Sequence, residues 1–378
     1  MPGPLTSTGT PRAGNDRARR RWPRRVAAGM VSAAVLLVAA GVAVPPVRAR
    51  AKAAAVLARS IGIAFPRPFA HRVTVRRNVR LAPGVEGDLY TPGRAPPIVL
   101  LSGATAQGKD DPRVVRVASS LAGARRVVFT PQLELRHETF QWADVERIVR
   151  SVLALRAMEG GVPVGVVGFS YGGSLGLVAA EDPRVAGDLA FVAVFGSFDD
   201  LLGVVQGITT GATTFRGRVV PWATVPEART ILDRGAVQLA DPEDRAALVS
   251  ALSSGDRTGL SPSAAAIFDL LENRDPTRTG ALAARLPPSF RSELARFSPA
   301  TDIARLRAPL FVMQSKDDPA TPPTEALRLR DSVPGARLIV LRYFQHVNPP
   351  GRGTPLFGNL ADAWGAWRFV SWIVSAQE

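Results

Sequence analysis

The sequence predicts an α/β fold: a mostly parallel central sheet flanked by helices, with a helical lid inserted late in the chain. Three observations predict it. From residue 71 to residue 199, short apolar runs alternate with stretches of helical periodicity. After Gly196 the alternation stops for roughly a hundred residues, then resumes at Pro309. A Gly-x-Ser-x-Gly sequence stands between one predicted strand and the next predicted helix. With 378 residues, 46% of them hydrophobic, the chain can bury the core such a fold needs.

The elements follow in order. Residues 1–25 read as a disordered basic tail: a Pro/Gly/Thr-rich start, then a cluster of six arginines from Arg17 to Arg25. Residues 26–44 carry no charge, and as a helix they would be about 28 Å long, near the thickness of a bilayer. Pro45 and Pro46 stop the run. Two expectations compete for residues 26–47. One is an uncleaved signal anchor, with the N-terminus cytoplasmic and the rest of the chain extracytoplasmic. The other is a cleaved signal peptide, with small residues at Val47, Ala49 and Ala51, and a secreted product. Residues 48–70 read as a linker with a short helix and two prolines, Pro66 and Pro68.

Residues 71–81 and 85–90 form a predicted hairpin around Pro83-Gly84. Buried strands are predicted at 98–102, 126–130, 164–168 and 189–195. Helices are predicted after Asp111-Pro112, over 140–158 and over 172–180. In the insertion, residues 200–300, Asp241-Pro242, Ser261-Pro262 and Asp275-Pro276 each mark a helix start. Strands return at 309–314 and 336–341, and a last helix covers 359–376. Its Trp364, Trp367 and Trp372 read as packing anchors.

Composition excludes several chemistries. The absence of cysteine rules out a disulfide scaffold, a thiolate zinc site, an iron–sulfur cluster and a cysteine nucleophile. Three histidines leave little for a histidine-rich metal site. The net charge of +15 is local, because residues 1–60 hold +10 of it. It flanks the apolar run, so no nucleic-acid partner is expected.

The most specific signal is Gly168-Phe169-Ser170-Tyr171-Gly172-Gly173. A sharp strand-to-helix turn puts the serine in a strained conformation and brings the helix close, so residues 168 and 172 must be small. The turn lifts the Ser170 hydroxyl to the positive end of a helix. On this motif and its context, the chain from residue 71 onward, apart from the insertion, resembles the α/β-hydrolase superfamily. The resemblance implies a serine nucleophile, an acid and a histidine in that chain order.

After Ser170 the only histidine is His346, just past the last predicted strand. The acid belongs after the strand at 309–314, where the chain reads Ser315-Lys316-Asp317-Asp318. The family often places it four residues before a proline, which selects Asp318, with Asp317 as the neighbour option. Asp199 and Asp200 are a third option, because some members move the acid to the earlier strand. The oxyanion hole would take the backbone amides of Tyr171 and Ala104, the latter in Ser102-Gly103-Ala104 where the family often has His-Gly. His71 and His137 precede the nucleophile and read as surface or structural residues.

Gly103 to Asp110 is one residue short of a phosphate-binding loop. Asp110 stands where a hydroxyl is needed, and Asp111 follows, so two carboxylates would repel the phosphates. The loop reads instead as a wall of the active site with Lys109 at its rim.

The resemblance thus implies a serine esterase that acts through an acyl-enzyme on a small-molecule or lipid ester, and the apolar run at 26–44 adds the expectation that it is held at the membrane. No metal or organic cofactor is required. The alternatives are a peptidase or acyltransferase with the same triad, or a non-catalytic envelope binding protein. The insertion is expected to lie over Ser170, with some of Ile267, Phe268, Leu270 and Leu271 lining an acyl pocket.

Overall fold

A computed structural model describes residues 45–61, 71–344, 346–348 and 356–377. The chain divides into two compact units, residues 1–48 and 49–378. Of the first, only the opening turn of helix α1 (Pro45–Ser60) is among the described residues.

The second unit is built on an eight-stranded sheet. Its strands are β1 (Thr74–Ala82), β2 (Val85–Thr91), β3 (Pro97–Leu101), β4 (Val127–Pro131), β5 (Val164–Phe169) and β6 (Leu189–Phe195). A small hairpin, β7 (Ala212–Phe215) and β8 (Arg218–Pro221), lies apart in a second sheet. β9 (Leu310–Ser315) and β10 (Arg337–Leu341) complete the large one. The order is β1-β2-β4-β3-β5-β6-β9-β10. β2 is antiparallel to both of its neighbours, and every pair from β4 to β10 is parallel. The β1–β2 hairpin turns at Pro83-Gly84, with Gly84 at φ +71°.

Alternate residues of a strand point to opposite faces, so the sheet separates two cores. Val99 and Leu101 of β3 join one core, while Ile98 and Leu100 join the other. The first face is covered by α3 (Trp142–Met158) and α4 (Ser170–Ala180), together with residues of the insertion. Against the second lie α2 (Pro112–Gly123), α12 (Leu356–Ser375) and the α1 residue Val56. Asp111 caps α2 by accepting from Arg113 N, with Pro112 at its first position.

Residues 201–300 hold α5 (Leu201–Thr210), the β7–β8 hairpin, and α6 (Pro226–Leu239) through α10 (Pro288–Arg296). The intervening helices are α7 (Arg245–Ser254), α8 (Pro262–Leu271) and α9 (Thr279–Ala284). Ile267, Phe268, Leu270 and Leu271 all lie buried in the first core. α11 (Pro323–Ser332) follows β9. In α12, Trp372 packs on Phe311 and Phe369, whereas Trp364 is exposed and stacks on Trp367.

One expectation for the N-terminus changes. The short helix expected after residue 48 is α1, which buries Ala53, Ala55 and Val56. Among the described residues no helix is long and apolar enough to cross a membrane. The reason is plain in the two terminal helices: α1 has 16 residues with Arg48, Arg50, Lys52 and Arg59, and α12 is broken by Asp362 and Arg368. The transmembrane anchor, the membrane as a partner through it, and the single-pass localisation are therefore corrected. Residues 26–44, on which they were read, lie outside the described residues.

Candidate active site

The ends of β5, β6 and β9 meet at one edge of the sheet, and parallel register aligns them. Phe169 pairs with Phe195, and Phe195 with Met313. Gly196 therefore follows β6 beside Ser170, and its amide donates to Met313 O at 3.0 Å.

Ser170 sits at φ +52°, in the left-handed region. A serine held there costs about 1–3 kcal/mol and persists only where the surroundings enforce it. The enforcement is steric. A Cβ on Gly172 would lie 1.9 Å from Ser102 O, one on Gly173 2.1 Å from Ser197 Oγ, and one on Gly168 2.4 Å from Gly173 Cα. The start of α4 is thus pressed onto the ends of β3 and β6. Ser197 Oγ donates to Ser170 O at 2.8 Å, and Ser174 Oγ exchanges hydrogen bonds with the backbone of Phe198.

His346 lies in the loop after β10, at φ +54°. Its Nδ1 is 2.9 Å from Asp318 Oδ2 and 3.0 Å from Oδ1. Its carbonyl accepts from Ser315 Oγ at 2.6 Å. Asp318 is fully buried, and accepts from Gln314 Nε2 at 2.9 Å, Ala320 N at 2.9 Å and Thr321 N at 3.0 Å. These neutral donors satisfy a carboxylate without a second cation. Asp317 next to it is exposed. Asp200 instead caps α5 through Leu202 N at 3.0 Å, and the amides of Asp199 and Asp200 both donate to Glu325 Oε2.

Ser170 and His346 border one pocket of about 280 Å³, together with Gly103 and Ala104. Gly103 backs the nucleophile, since a Cβ there would meet Ser170 Cβ at 3.0 Å. Tyr171 turns its ring into the first core, against Phe140 and Phe198, and burial pushes its phenol pKa up. Its amide lies in the first turn of α4, next after Ser170.

Lys109 does not border this pocket. It is buried, and its ammonium pairs with Asp88 at 3.1 Å and Asp110 at 3.0 Å. Asp111 and Thr105 of the same loop do border it. His71 and His137 are exposed. Three positions escape sequence reasoning: Gln314, Ser315 and Gly196. A buried polar pair at the end of an apolar strand was the available signal for the first two. For Gly196 (φ +68°) the signal was a glycine directly after a buried strand.

No protein-family model and no curated protein matches the chain. Solved structures do resemble it. One is DphMB1, at 18% identity and TM-score 0.48, over 83% of this chain and 89% of that one. Another is an alpha/beta fold family hydrolase from Bacillus anthracis str. Sterne, at 14% identity and TM-score 0.42, over 80% and 98%. A third is the acylaminoacyl peptidase of Pyrococcus horikoshii, at 12% identity and TM-score 0.43; the alignment spans 80% of this chain but 40% of the peptidase. No chemistry passes from these proteins to this chain.

Proposed function

We propose that this chain, which has the α/β-hydrolase fold, is a serine hydrolase that cleaves carboxylic esters. Ser170 Oγ attacks the acyl carbonyl. His346 takes the hydroxyl proton on Nε2 and returns it to the leaving alcohol. Asp318 holds the Nδ1 proton, fixes the tautomer and stabilises the imidazolium as it forms. The amides of Ala104 and Tyr171 receive the negative charge on the carbonyl oxygen. Water, activated by the same histidine, then releases the acyl group.

The observation that carries the reading is a pair of features on one pocket. A serine strained into the left-handed region and a histidine bonded to a buried aspartate line the same pocket. The ester preference is supported by the pocket walls, which are mainly aliphatic and aromatic; Thr105, Asp111 and Arg113 lie in and just after the loop that follows β3, and the helical walls add Arg116 and Ser60. A fluorophosphonate should label the wild type at Ser170 and leave Ser170→Ala unlabelled. p-Nitrophenyl esters should be hydrolysed faster than peptide p-nitroanilides. A folded wild type that neither labels nor hydrolyses either series refutes the proposal, and a preference for the anilides moves it to a peptidase.

A further inference from the structure

Two voids border the nucleophile turn, on opposite faces of the sheet. The one against the insertion is about 20 Å³ and is walled by Phe140, Tyr171, Leu270 and Leu271. A space of that size holds about one water. That void is too small for a chain.

The 280 Å³ pocket lies on the other face. Its floor is the sheet, through Val167, Phe195 and Met313. Its walls are three helical stripes, each with the spacing of one helix face. α2 gives Val114, Val117 and Leu121, and α12 gives Ala366, Phe369, Val370 and Ile373. The third stripe comes from the far N-terminal side: Val56, Leu57 and Ser60 of α1, and Ile61 just after it. From Arg113 to Leu121 the α2 wall runs roughly 12 Å. Arg113, at the start of that wall, is bonded to Asp111 and Asn348, while Arg116, less than one turn further on, borders the pocket at its exposed side, where a carboxyl or ester oxygen rather than the chain would meet it.

We infer that this pocket is the acyl-chain site, that it takes an aliphatic chain, and that α1 sets the chain length. This rests on the ester-hydrolase reading of Ser170. An apolar cavity of roughly 150 Å³ accommodates the six carbons of benzene, so a pocket nearly twice that size suits about eight to twelve carbons. α1 is the adjustable wall. Leu57 is half-buried and Ile61 exposed, whereas Leu121 and Ile373 are buried in the sheet-facing core.

The test is the p-nitrophenyl ester series from acetate to palmitate on the full chain, with a small fluorophosphonate to count working sites. The wild type should show a kcat/KM optimum at about eight to twelve carbons. Leu57→Trp and, independently, Val117→Trp should move the optimum down by about two carbons or more. Labelling by the small fluorophosphonate should persist in both variants, so that the shift is read per working site. Leu270→Ala should lower Tm and leave the optimum in place.

An unmoved optimum in a Trp variant that still labels overturns the inference, as does a shift caused by Leu270→Ala. If the wild type neither labels nor hydrolyses esters, the hydrolase reading fails by itself, and calorimetry with 1-decanol then decides the pocket. Binding to the wild type that weakens by about tenfold or more in Leu57→Trp supports the chain site. No binding to the wild type overturns it.

Discussion

Gly196→Ala tests whether His346 must stand where it does. A Cβ on Gly196 would lie 2.8 Å from His346 Cε1, 2.9 Å from Nδ1 and 3.4 Å from Asp318 Oδ2. Ordinary carbon contacts begin near 3.5 Å, so the ring must retreat by roughly 0.6–1 Å. The retreat stretches the 2.9 Å bond to Asp318 to about 3.5 Å or more, beyond the range of a hydrogen bond. Misplacing a catalytic group by about 1 Å costs roughly 10²-fold in rate. The backbone adds its own cost, because alanine at φ +68° is disfavoured by about 1–2 kcal/mol. For a unit as long as residues 49–378 each kcal/mol is worth roughly 1.5 °C in Tm. The variant should therefore lose about two orders of magnitude in kcat/KM for a p-nitrophenyl ester, with Tm lower by a few degrees. Gly187→Ala is the control, since a Cβ there meets nothing within 4 Å. If Gly196→Ala stays within about threefold of wild type, the imidazole is not held against Gly196 and the argument fails.

Three more perturbations are separable. Asp318→Asn should lower kcat by about 10⁴-fold through the wrong histidine tautomer, while Asp317→Asn stays within about twofold; the reverse order would make Asp317 the orienting acid. Gly172→Ala should destabilise by at least about 3 kcal/mol in urea titration, because its Cβ meets a backbone oxygen that cannot yield; a midpoint like wild type would refute the tight turn. Burial holds the Glu325 carboxyl at about 8, against the pull of Arg328 Nε at 3.2 Å and of the Asp200 amide. The folded chain thus keeps a proton that the unfolded chain loses from the ordinary carboxylate range upward, and stability falls by up to about 1.4 kcal/mol per pH unit from there to pH 8. Glu325→Gln should lose that part of the slope, so urea midpoints at pH 5.5 and 7.5 should lie closer together than in wild type; an equal gap would refute the assignment.

What was legible in the sequence was whatever sterics impose locally. The elbow at Gly168–Gly173 could be read because a left-handed serine between a strand and a helix tolerates few neighbours. The strand alternation could be read because both faces of β3, β5 and β6 are buried. Of the proline starts read in the insertion, Pro262 opens α8, Pro276 opens only a 3-10 turn before α9, and α7 begins at Arg245, three residues past Pro242; the β7–β8 hairpin among them gave no signal. Which face an apolar residue serves was not legible. Phe268 and Phe369 look alike in a hydropathy profile, yet one packs in the insertion core and the other lines the pocket. The pocket joins Leu57 to Ile373, and no local pattern reports a contact across the whole chain. Gly196 could not be singled out either, because its requirement is a ring from a loop 150 residues later.

The support of His346 has a mechanical consequence. Ser315 holds its carbonyl and Asp318 its ring nitrogen, and both belong to the chain around the end of β9. Base and acid therefore travel together as one piece. Ser170 belongs to another piece, pinned through Ser197 and Ser174 to the end of β6. Between the two pieces runs the β6–β9 seam, which ends in the bond from Gly196 N to Met313 O. On the proposed reading, the gap that a proton crosses from Ser170 to His346 is set by how β6 is registered on β9, while the imidazole–carboxylate pair keeps its own geometry whatever that register.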